Sequence, residues 1–444
     1  MNSVNFEKEK ISTLLIKIAI PLMISMLVTE LYNMVDTYFV SHYVGSLGIA
    51  YIMIVFPLQR FIAAMASMLG TGTSATLSRQ IGLKDEENIR SVINQGVNLV
   101  LLFMVPIIIL LFIFQDQILY AFGASADTLE GARIYLHYIS IGSIFIVGTN
   151  FISRVLISFG ESKLSLQATL IGALINVLLD YILVVHVKIG ITGAGFATMF
   201  SQICGFIYAL SHFRKLQKKL NMKFKFEFNK IFVKMILTIG LAAFLIELED
   251  GIVIGVLNNL LRDSMGDKGV VILGLITKVY MFLFITSFGI SSAMQPIAAY
   301  EIGAGRDYRL KDLIKKTIFY SFITTAIVWL ICMIFSKEVL SIFLKDEELL
   351  TEAAEYFRIV ISVFPILAVY YVSIFFFQAQ GNARASVLAS IMRQLLIMIP
   401  LSIVLVKVFN LGGYGVWIAY PITDILASII SVLLMRNNYK NLSK

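Results

Sequence analysis

The chain contains twelve long apolar stretches, and each can cross a lipid bilayer as a helix. A bilayer-spanning helix needs about 20 mainly apolar residues, and the chain is 58% hydrophobic with only 14% charged residues. The stretches are continuous rather than alternating, which disfavours transmembrane β-strands. They lie near residues 14–40, 47–74, 94–116, 132–157, 165–187, 192–213, 236–260, 271–298, 313–335, 355–377, 385–406 and 412–435. The sequence therefore predicts an all-α integral membrane protein with twelve transmembrane helices.

The same pattern of residues occurs twice, at a spacing of about 220 residues. The matching positions include Gly82 with Gly303, Tyr135 with Tyr356, Gly160 with Gly381, and Gly193 with Gly413. Chance matching between apolar helices is the alternative, and the coincident glycines argue against it. Six spans per half is an even number, so both halves have the same orientation in the membrane. This predicts two six-helix lobes related by a pseudo-twofold axis along the membrane normal.

Polar and basic residues mark the boundary between the halves and the orientation of the chain. We expect an N-terminal lobe over residues 1–213, a basic cytoplasmic linker over 214–230, and a C-terminal lobe over 231–444. Lys and Arg are concentrated in the segments on the side of the N-terminus, which the positive-inside rule assigns to the cytoplasm. The expected protein is a multi-pass protein of the plasma membrane with both termini cytoplasmic. Topology also accounts for the net charge of +8, so no nucleic-acid partner is needed.

Several classes of function are disfavoured by what the sequence contains. The first thirteen residues are polar and do not form a cleavable signal peptide. Cys204 and Cys332 both fall inside predicted spans, where they fit neither a disulfide framework nor a metal site. The four histidines give no nucleophile–base pair, and no P-loop motif is present. We therefore expect no enzyme and no cofactor, and a transporter of this design would be driven by an ion gradient or by a partner chain.

Polar residues inside three spans of the first half fall on single helix faces. At 100° per residue, the first, fifth and sixth spans each have a polar stripe. The stripes are Met26, Thr29, Tyr32, Asn33 and Asp36; Thr169, Gly172, Ala173, Asn176 and Asp180; and Thr198, Ser201, Gln202 and Gly205. The two carboxylates, with an amide and a hydroxyl, can enclose a hard cation or share a proton. Hydrogen bonds that only join helices are the alternative.

The second half carries different charges. Its first span places Glu247, Asp250, Gly251, Gly255 and Asn258 on one face, with Glu249 pointing elsewhere, and later spans contain Lys278, Arg393 and Asp424. Charge-neutralising pairs and a substrate role are both open for these residues. The repeat positions of Asp36 and Asp180 fall near Val256 and Leu401. Only the first lobe is therefore expected to hold an aspartate pair.

Three segments resemble the multidrug and toxic compound extrusion (MATE) transporters, in the prokaryotic branch, of the MOP flippase superfamily. They are PLMISMLVTELYNMVDTYFV (21–40), QPIAAYEIGAG (295–305) and RQLLIMIPL (393–401). The resemblance covers nearly the whole chain. It implies secondary antiport, in which amphipathic organic cations leave through a cleft between the lobes while Na⁺ or H⁺ enters, by rocker-switch alternating access.

The resemblance also implies roles for individual residues. The cation-coupling residues of that branch match Asp36, Asn176, Asp180 and Thr198, which would be the metal ligands if the coupling ion is Na⁺. Tyr32 and Asn150 match positions that line its substrate pocket. With Met26, Asn33, Glu247 and Asp250 they form the expected substrate site. One departure is that the tenth span lacks the mid-helix carboxylate of other branches, which favours coupling through the first lobe.

The expected partners are therefore small amphipathic cationic drugs and membrane lipids, and the protein is expected to be a monomer. The second hypothesis is a flippase for lipid-linked saccharides from the same superfamily. Such anionic cargo requires a cationic cavity, whereas the stripes described above are acidic or neutral. A non-transporting membrane assembly subunit is disfavoured by the duplicated lobes and the buried carboxylates.

Overall fold

The computed structural model describes residues 5–344 and 346–442, and within these ranges every regular element is helical. The chain ends of both predicted lobes, residues 1–4 and 443–444, lie outside the described residues, as does Lys345. The α-helices of the N-terminal half are α1 (Ile11–Tyr43), α2 (Ser46–Leu83), α3 (Glu86–Ile113), α4 (Gln115–Ala121), α5 (Ala126–Ser158), α6 (Ser162–Asp180) and α7 (Gly190–Lys219). Those of the other half are α8 (Lys230–Met265), α9 (Asp267–Gly303), α10 (Asp307–Ile334), α11 (Ser336–Ser341), α12 (Glu347–Ile361), α13 (Leu367–Gln380), α14 (Ala383–Ile391), α15 (Ile399–Ile403) and α16 (Gly413–Leu442).

Twelve segments of the described chain are long and apolar enough to cross a membrane. They coincide with the twelve predicted spans, so the prediction of an all-α, twelve-span membrane protein is confirmed. The tenth span (Glu347–Gln380) is interrupted by a short 3₁₀ turn at Phe364–Ile366, which contains Pro365. Because proline cannot donate a backbone hydrogen bond, it loosens the ladder at this point. The indole of Trp329 donates to the Ile361 carbonyl at 2.8 Å beside the break.

The backbone conformation repeats with the sequence. Residues with positive φ recur at equivalent positions: Gly45 and Gly266, Lys84 and Gly305, Gly160 and Gly381, Lys188 and Asn410, Gly190 and Gly412. At Gly160 and Gly381 the φ angles are 81° and 72°, a region that favours glycine because it has no Cβ. Each of these two glycines ends one helix and allows the next to begin. Equivalent turns with equivalent backbone angles support a duplication of one helical unit.

The described chain divides into two compact units by its internal contacts. The first comprises Met1–Glu9, Ile20–Glu247 and Ala299–Gly305, and the second comprises Lys10–Ala19, Leu248–Ala298 and Arg306–Lys444. The division into lobes at 1–213 and 231–444 with a linker at 214–230 stays a prediction. Helix α7 continues to Lys219, and residues 222–229 between α7 and α8 have no regular secondary structure.

The first unit is built around α2, α5 and α7, which pack against one another. Its core includes Leu69, Tyr135, Phe151 and Val155, all almost fully buried. Helix α2 also approaches the first half of α8 very closely. A Cβ atom added at Gly72 would collide with the carbonyl oxygen of Ile236, so only glycine permits this separation.

In the second unit, α13 packs against α10, α14 and α16. Its core is rich in aromatic side chains. Phe364, Phe376, Phe377 and Trp417 are fully buried. Apolar packing of this kind, rather than polar contacts, fills most of the unit, and this makes its few buried charges conspicuous.

Candidate ion-binding site

Two aspartates of the first unit come together inside the membrane-spanning region. Asp36 lies on α1 and Asp180 is the last residue of α6. Their carboxyl groups are close enough to interact electrostatically. Two ionised carboxylates repel each other, and neither can donate a hydrogen bond. Their proximity therefore favours a shared proton or a bound cation.

The buried polar atoms around the pair support the same conclusion. Asp180 is fully buried and Asn176, one turn before it, is 1% exposed. Both oxygens of Asp180, one oxygen of Asp36 and both polar atoms of the Asn176 amide have no hydrogen-bond partner among the described residues. Buried polar atoms without partners are rare and each needs an explanation. A bound proton or cation would satisfy the oxygens of this group.

Thr198, the fourth predicted ligand, lies on α7 and is almost fully buried. Helices α6 and α7 run antiparallel and pack closely at glycine positions. A Cβ added at Gly172 would lie 3.6 Å from the Ser201 carbonyl oxygen. One turn further along α6 is Asn176, and about one turn back along α7 is Thr198. The helix register therefore places Thr198 at the level of Asn176.

The backbone changes its winding directly after Asp180. The α-helix ends there, and Tyr181–His186 form a π-helical turn within the same span. Wider turns of this kind are frequent at functional sites. This one begins at the residue that follows Asp180.

Tyr135 lies within electrostatic range of the aspartates and is hydrogen-bonded to Gln59. The sequence pattern predicted a role for neither residue. The Tyr135 side chain of α5 is 1% exposed and its hydroxyl accepts a hydrogen bond from Gln59 Nε2 at 3.4 Å. It lies within electrostatic range of both Asp36 and Asp180. The only signal in the sequence was that Tyr135 repeats as Tyr356. A buried phenol beside the pair can donate a hydrogen bond to a carboxylate.

The donor set limits which cation can be held. In the described parts of the chain, no three His, Cys, Asp or Glu side chains come together as a metal site. A cation here would have two carboxylates, one amide oxygen and one hydroxyl from the predicted residues. Hard oxygen ligands of this kind fit Na⁺ better than a transition metal, which prefers nitrogen or sulfur. The residues present therefore fit either a proton or a hard cation.

The predicted substrate residues of the first unit occupy several helices. Met26, Tyr32 and Asn33 lie on α1, with Met26 and Tyr32 half-buried and Asn33 exposed. Tyr32 is within electrostatic range of Asp36. Asn150 lies on α5 against Gly70 of α2, and its side-chain oxygen is buried without a partner. The structure thus brings Tyr32 close to the aspartate pair, and it gives no contact of Met26 or Asn33 with the pair among the residues that it describes.

Glu247 takes part in a charged cluster of the first unit. Its carboxylate accepts a hydrogen bond from Ser67 Oγ at 3.1 Å and lies 3.7 Å from the Arg60 guanidinium. Glu30 is within electrostatic range of Arg60 and Glu247, and Arg154 is within range of Glu247. The cluster therefore contains two acidic and two basic side chains. Glu30, Arg60 and Arg154 were not predicted, because their spacing along the sequence gives no sign that they meet.

In the second unit, the buried charges are largely paired. Arg393 Nε donates to Asp424 Oδ1 at 2.8 Å, and the side chains are 4% and 0% exposed. Arg393 also donates to the Tyr280 hydroxyl. Of the two hypotheses that the sequence left open, this geometry favours the one in which Arg393 and Asp424 form a charge-neutralising pair. Lys278 lies 5.7 Å from the centroid of the Phe343 ring, in a cation–π contact.

The two remaining carboxylates of α8 differ in environment. Asp250, a predicted substrate residue, is exposed on the surface of the second unit. Glu249 is 4% exposed, and its Oε2 atom has no hydrogen-bond partner among the residues that the structure describes. Glu249 is within electrostatic range of Arg393. Adjacent positions of one helix thus carry an exposed and a buried carboxylate.

A twelve-helix membrane protein with a buried carboxylate pair and an internal duplication has the features of an ion-coupled membrane transporter. The profile of the MatE family matches residues 21–182 and 252–404, which is most of the chain and includes parts of both halves. The chain belongs to the MatE family, which confirms the resemblance seen in the sequence. It is accordingly a multi-pass membrane transport protein and not an enzyme.

Curated relatives match over almost the full length. The Multidrug export protein MepA of Staphylococcus aureus (strain MSSA476) is 23% identical over 436 residues, covering 97% of this chain and 95% of MepA. MepA of Staphylococcus saprophyticus shows the same identity and coverage.

Solved structures give the same fold. The outward-facing conformation of a multidrug resistance MATE family transporter of the MOP superfamily superposes with a TM-score of 0.93 at 25% identity, covering 100% of this chain and 99% of that one. The crystal structure of MATE in complex with MaD3S gives a TM-score of 0.94 at 24% identity, with the same coverage.

Proposed function

We propose that this protein is a secondary active multidrug efflux antiporter. It exports lipophilic organic cations in exchange for H⁺ or Na⁺. The observation that carries the proposal is the Asp36–Asp180 pair, whose carboxyl groups interact electrostatically and include buried oxygens with no hydrogen-bond partner among the described residues. The curated relatives are named as multidrug export proteins. These names support transport out of the cell and the export of several different drugs.

Ion coupling follows from the electrostatics of the pair. An ionised carboxylate inside a bilayer is costly, by about 2.5–3.5 kcal/mol at a helix centre on insertion scales. A proton or Na⁺ that enters the site removes part of this cost, and it shifts the conformational equilibrium toward the state that binds it better. If the ion is Na⁺, its proposed ligands are Asp36, Asn176, Asp180 and Thr198. If it is H⁺, the two carboxyl groups share it.

The proposed cargo follows from side chains of the first unit. Tyr32 and Met26 offer aromatic and apolar surface, and the carboxylates of Asp36 and Glu247 supply negative charge. A flat lipophilic cation gains from burial, from stacking on the Tyr32 ring and from this field. Asn33, Asn150 and Asp250 complete the proposed set of substrate-binding residues.

The transport cycle that we propose is rocker-switch alternating access between two six-helix lobes, over residues 1–213 and 231–444, joined by the linker at 214–230. Duplicated transporters commonly move one half against the other about a central site. The distribution of basic residues supports our proposal that both termini are cytoplasmic and that the protein lies in the plasma membrane. We propose that the protein works as a monomer, since each chain carries both halves.

A flippase for lipid-linked saccharides is the second candidate, and one observation favours it. Arg60 and Arg154 lie near Glu247 in the charged cluster of the first unit, so the cluster contains basic groups of the kind that an anionic lipid phosphate prefers. Cargo tests separate the two functions. An antiporter of organic cations exports ethidium, whereas a flippase moves a lipid-linked pyrophosphate sugar and leaves ethidium inside.

The decisive experiment uses purified protein in proteoliposomes loaded with ethidium. A pH gradient and a Na⁺ gradient are imposed separately, and ethidium efflux is followed by fluorescence. We expect efflux with one of the two gradients and none without either. A dianionic dye of similar size serves as the cargo control and should be retained. Equal export of both dyes would contradict selection by charge, and gradient-independent efflux would contradict antiport.

A further inference from the structure

The segment between α7 and α8 is held along α3 by side-chain amides. We call residues 222–229 the Lys-Phe strap. Asn94 Nδ2 donates to the Lys223 carbonyl at 3.3 Å, and Asn98 Nδ2 donates to the carbonyls of Lys225 and Glu227 at 3.1 and 3.0 Å. The backbone N–H of Asn229 in turn donates to Gln95 Oε1 at 3.0 Å. The three α3 amides are at least nine-tenths buried. The strap is thus an ordered part of the first unit rather than a loose tether.

The side chains of residues 223–229 are exposed. Phenylalanines alternate with charged residues along the strap, and successive side chains of an extended chain point to opposite sides; we call Phe224, Phe226 and Phe228 the phenylalanine row. Phe224, Phe226 and Phe228 are 50%, 65% and 43% exposed. Leaving three such rings in water is unfavourable, since burial of apolar area contributes about 25 cal/mol per Å². Phe226 and Phe228 contact each other with ring centroids 5.3 Å apart, but all three rings stay largely exposed, so a further apolar neighbour would stabilise them.

The position of the strap along α3 identifies that neighbour. Leu101 and Leu102 are exposed and begin the row of apolar side chains with which α3 faces lipid. They follow Asn98 by three and four residues. At 1.5 Å per residue, this is only about 5 Å along the helix axis. The strap consequently lies at the boundary between the hydrocarbon and the headgroups, where amphipathic segments bind.

The charge around the strap selects the kind of lipid. Residues 214–234 contain eight Lys and Arg residues and a single acidic residue, Glu227. In the part of the chain that the structure describes, none of these basic side chains is in an ion pair. Basic residues at a membrane surface gain about 1 kcal/mol each from anionic lipid. The lysines can extend to the headgroups while the phenylalanines enter the acyl region.

From these observations we infer that the Lys-Phe strap is a binding site for anionic phospholipid, in the leaflet at which α7 ends and α8 begins. The inference does not depend on which cargo or which ion is transported. It assigns the strap a second role besides joining the two halves, since lipid bound here attaches the connection between α7 and α8 to the membrane surface.

The test uses a tryptophan at the centre of the row. Phe226→Trp is reconstituted in vesicles of phosphatidylcholine, with or without phosphatidylglycerol, and the signal of the two native tryptophans is subtracted with the parent protein. We expect the new tryptophan to be quenched by brominated phosphatidylglycerol and protected from aqueous iodide. The matched control is Tyr308→Trp, because Tyr308 is an 85% exposed aromatic residue outside the strap. This control should be quenched by iodide and not by brominated lipid.

Two further variants separate the parts of the inference. Lys223→Gln with Lys225→Gln, in the Phe226→Trp background, should reduce the preference for phosphatidylglycerol over phosphatidylcholine by on the order of tenfold. Asn98→Ala should reduce quenching by brominated lipid, because the strap loses two of its hydrogen bonds. The proposal would be overturned if iodide quenched the tryptophan of Phe226→Trp. It would also be overturned if brominated phosphatidylglycerol and brominated phosphatidylcholine quenched it equally while Lys223 and Lys225 are unchanged.

Discussion

Neutralising one member of the aspartate pair should separate coupling from stability. In Asp36→Asn the amide keeps the shape of the carboxyl group and removes its charge. If the pair carries the coupling ion, gradient-driven efflux is lost. A tenfold ion gradient is worth about 1.4 kcal/mol, so electroneutral exchange of one ion for one cargo cation sustains up to a tenfold cargo gradient. We expect the ratio of cargo concentrations across the membrane to fall to one in the variant.

The same substitution should not weaken the fold. Asp180 is fully buried with no partner for either oxygen among the described residues, and Asp36 is the charge that faces it. Removing that charge relieves an unfavourable interaction. The cost of about 2.5–3.5 kcal/mol for an aspartate at a helix centre sets the upper limit of the gain. Asp180→Asn should behave in the same way. The double variant should be no less active than either single variant, because the two groups act as one site.

The assay combines efflux from proteoliposomes with unfolding of the same preparations in detergent. The matched control is Asp116→Asn, in which a partly exposed aspartate loses its ion pair with Arg133 at 2.8 Å. Exposed pairs contribute at most about 1 kcal/mol, so the control should keep both activity and stability. A full cargo gradient sustained by Asp36→Asn would show that the aspartate pair does not carry the coupling ion. A loss of activity that only follows the loss of folded protein would contradict the same role, because the pair would then merely join α1 to α6.

Three further substitutions test other parts of the structure. Asp424→Asn leaves the buried Arg393 without its charge partner and should lower the free energy of unfolding by about 3–5 kcal/mol, which chemical unfolding in detergent measures. Tyr135→Phe removes the hydroxyl beside the pair and should weaken the apparent affinity for the coupling ion on the order of tenfold, measured from the ion dependence of efflux. Gly72→Ala forces α2 away from a carbonyl oxygen of α8 and should destabilise by about 1–3 kcal/mol, whereas Gly255→Ala, where a Cβ meets open space, should not.

The number and position of the spans could be predicted because the bilayer sets both. An apolar run must be about 20 residues long to cross it, whatever the tertiary structure. The aspartate pair was also accessible from the sequence, because the 100° periodicity places Asp36 and Asp180 each on a polar stripe. The positions of Tyr135 and Arg60 beside carboxylates could not be predicted from the sequence. Whether a tyrosine or an arginine of one helix meets a carboxylate of another depends on helix register and crossing, which the pattern within one helix does not encode.

The two halves show how one backbone supports different electrostatics. Equivalent turns share their positive φ angles, as at Gly160 and Gly381, so the duplicated scaffold has been kept. The buried charges have not. In the first unit the carboxyl groups of Asp36 and Asp180 lie within electrostatic range of each other. In the second unit the buried Asp424 already has a guanidinium partner. An acidic group held by a resident arginine has little need of an exchangeable cation, whereas a pair of carboxylates needs one. This difference supports our proposal that the coupling ion binds at Asp36 and Asp180 in the first unit.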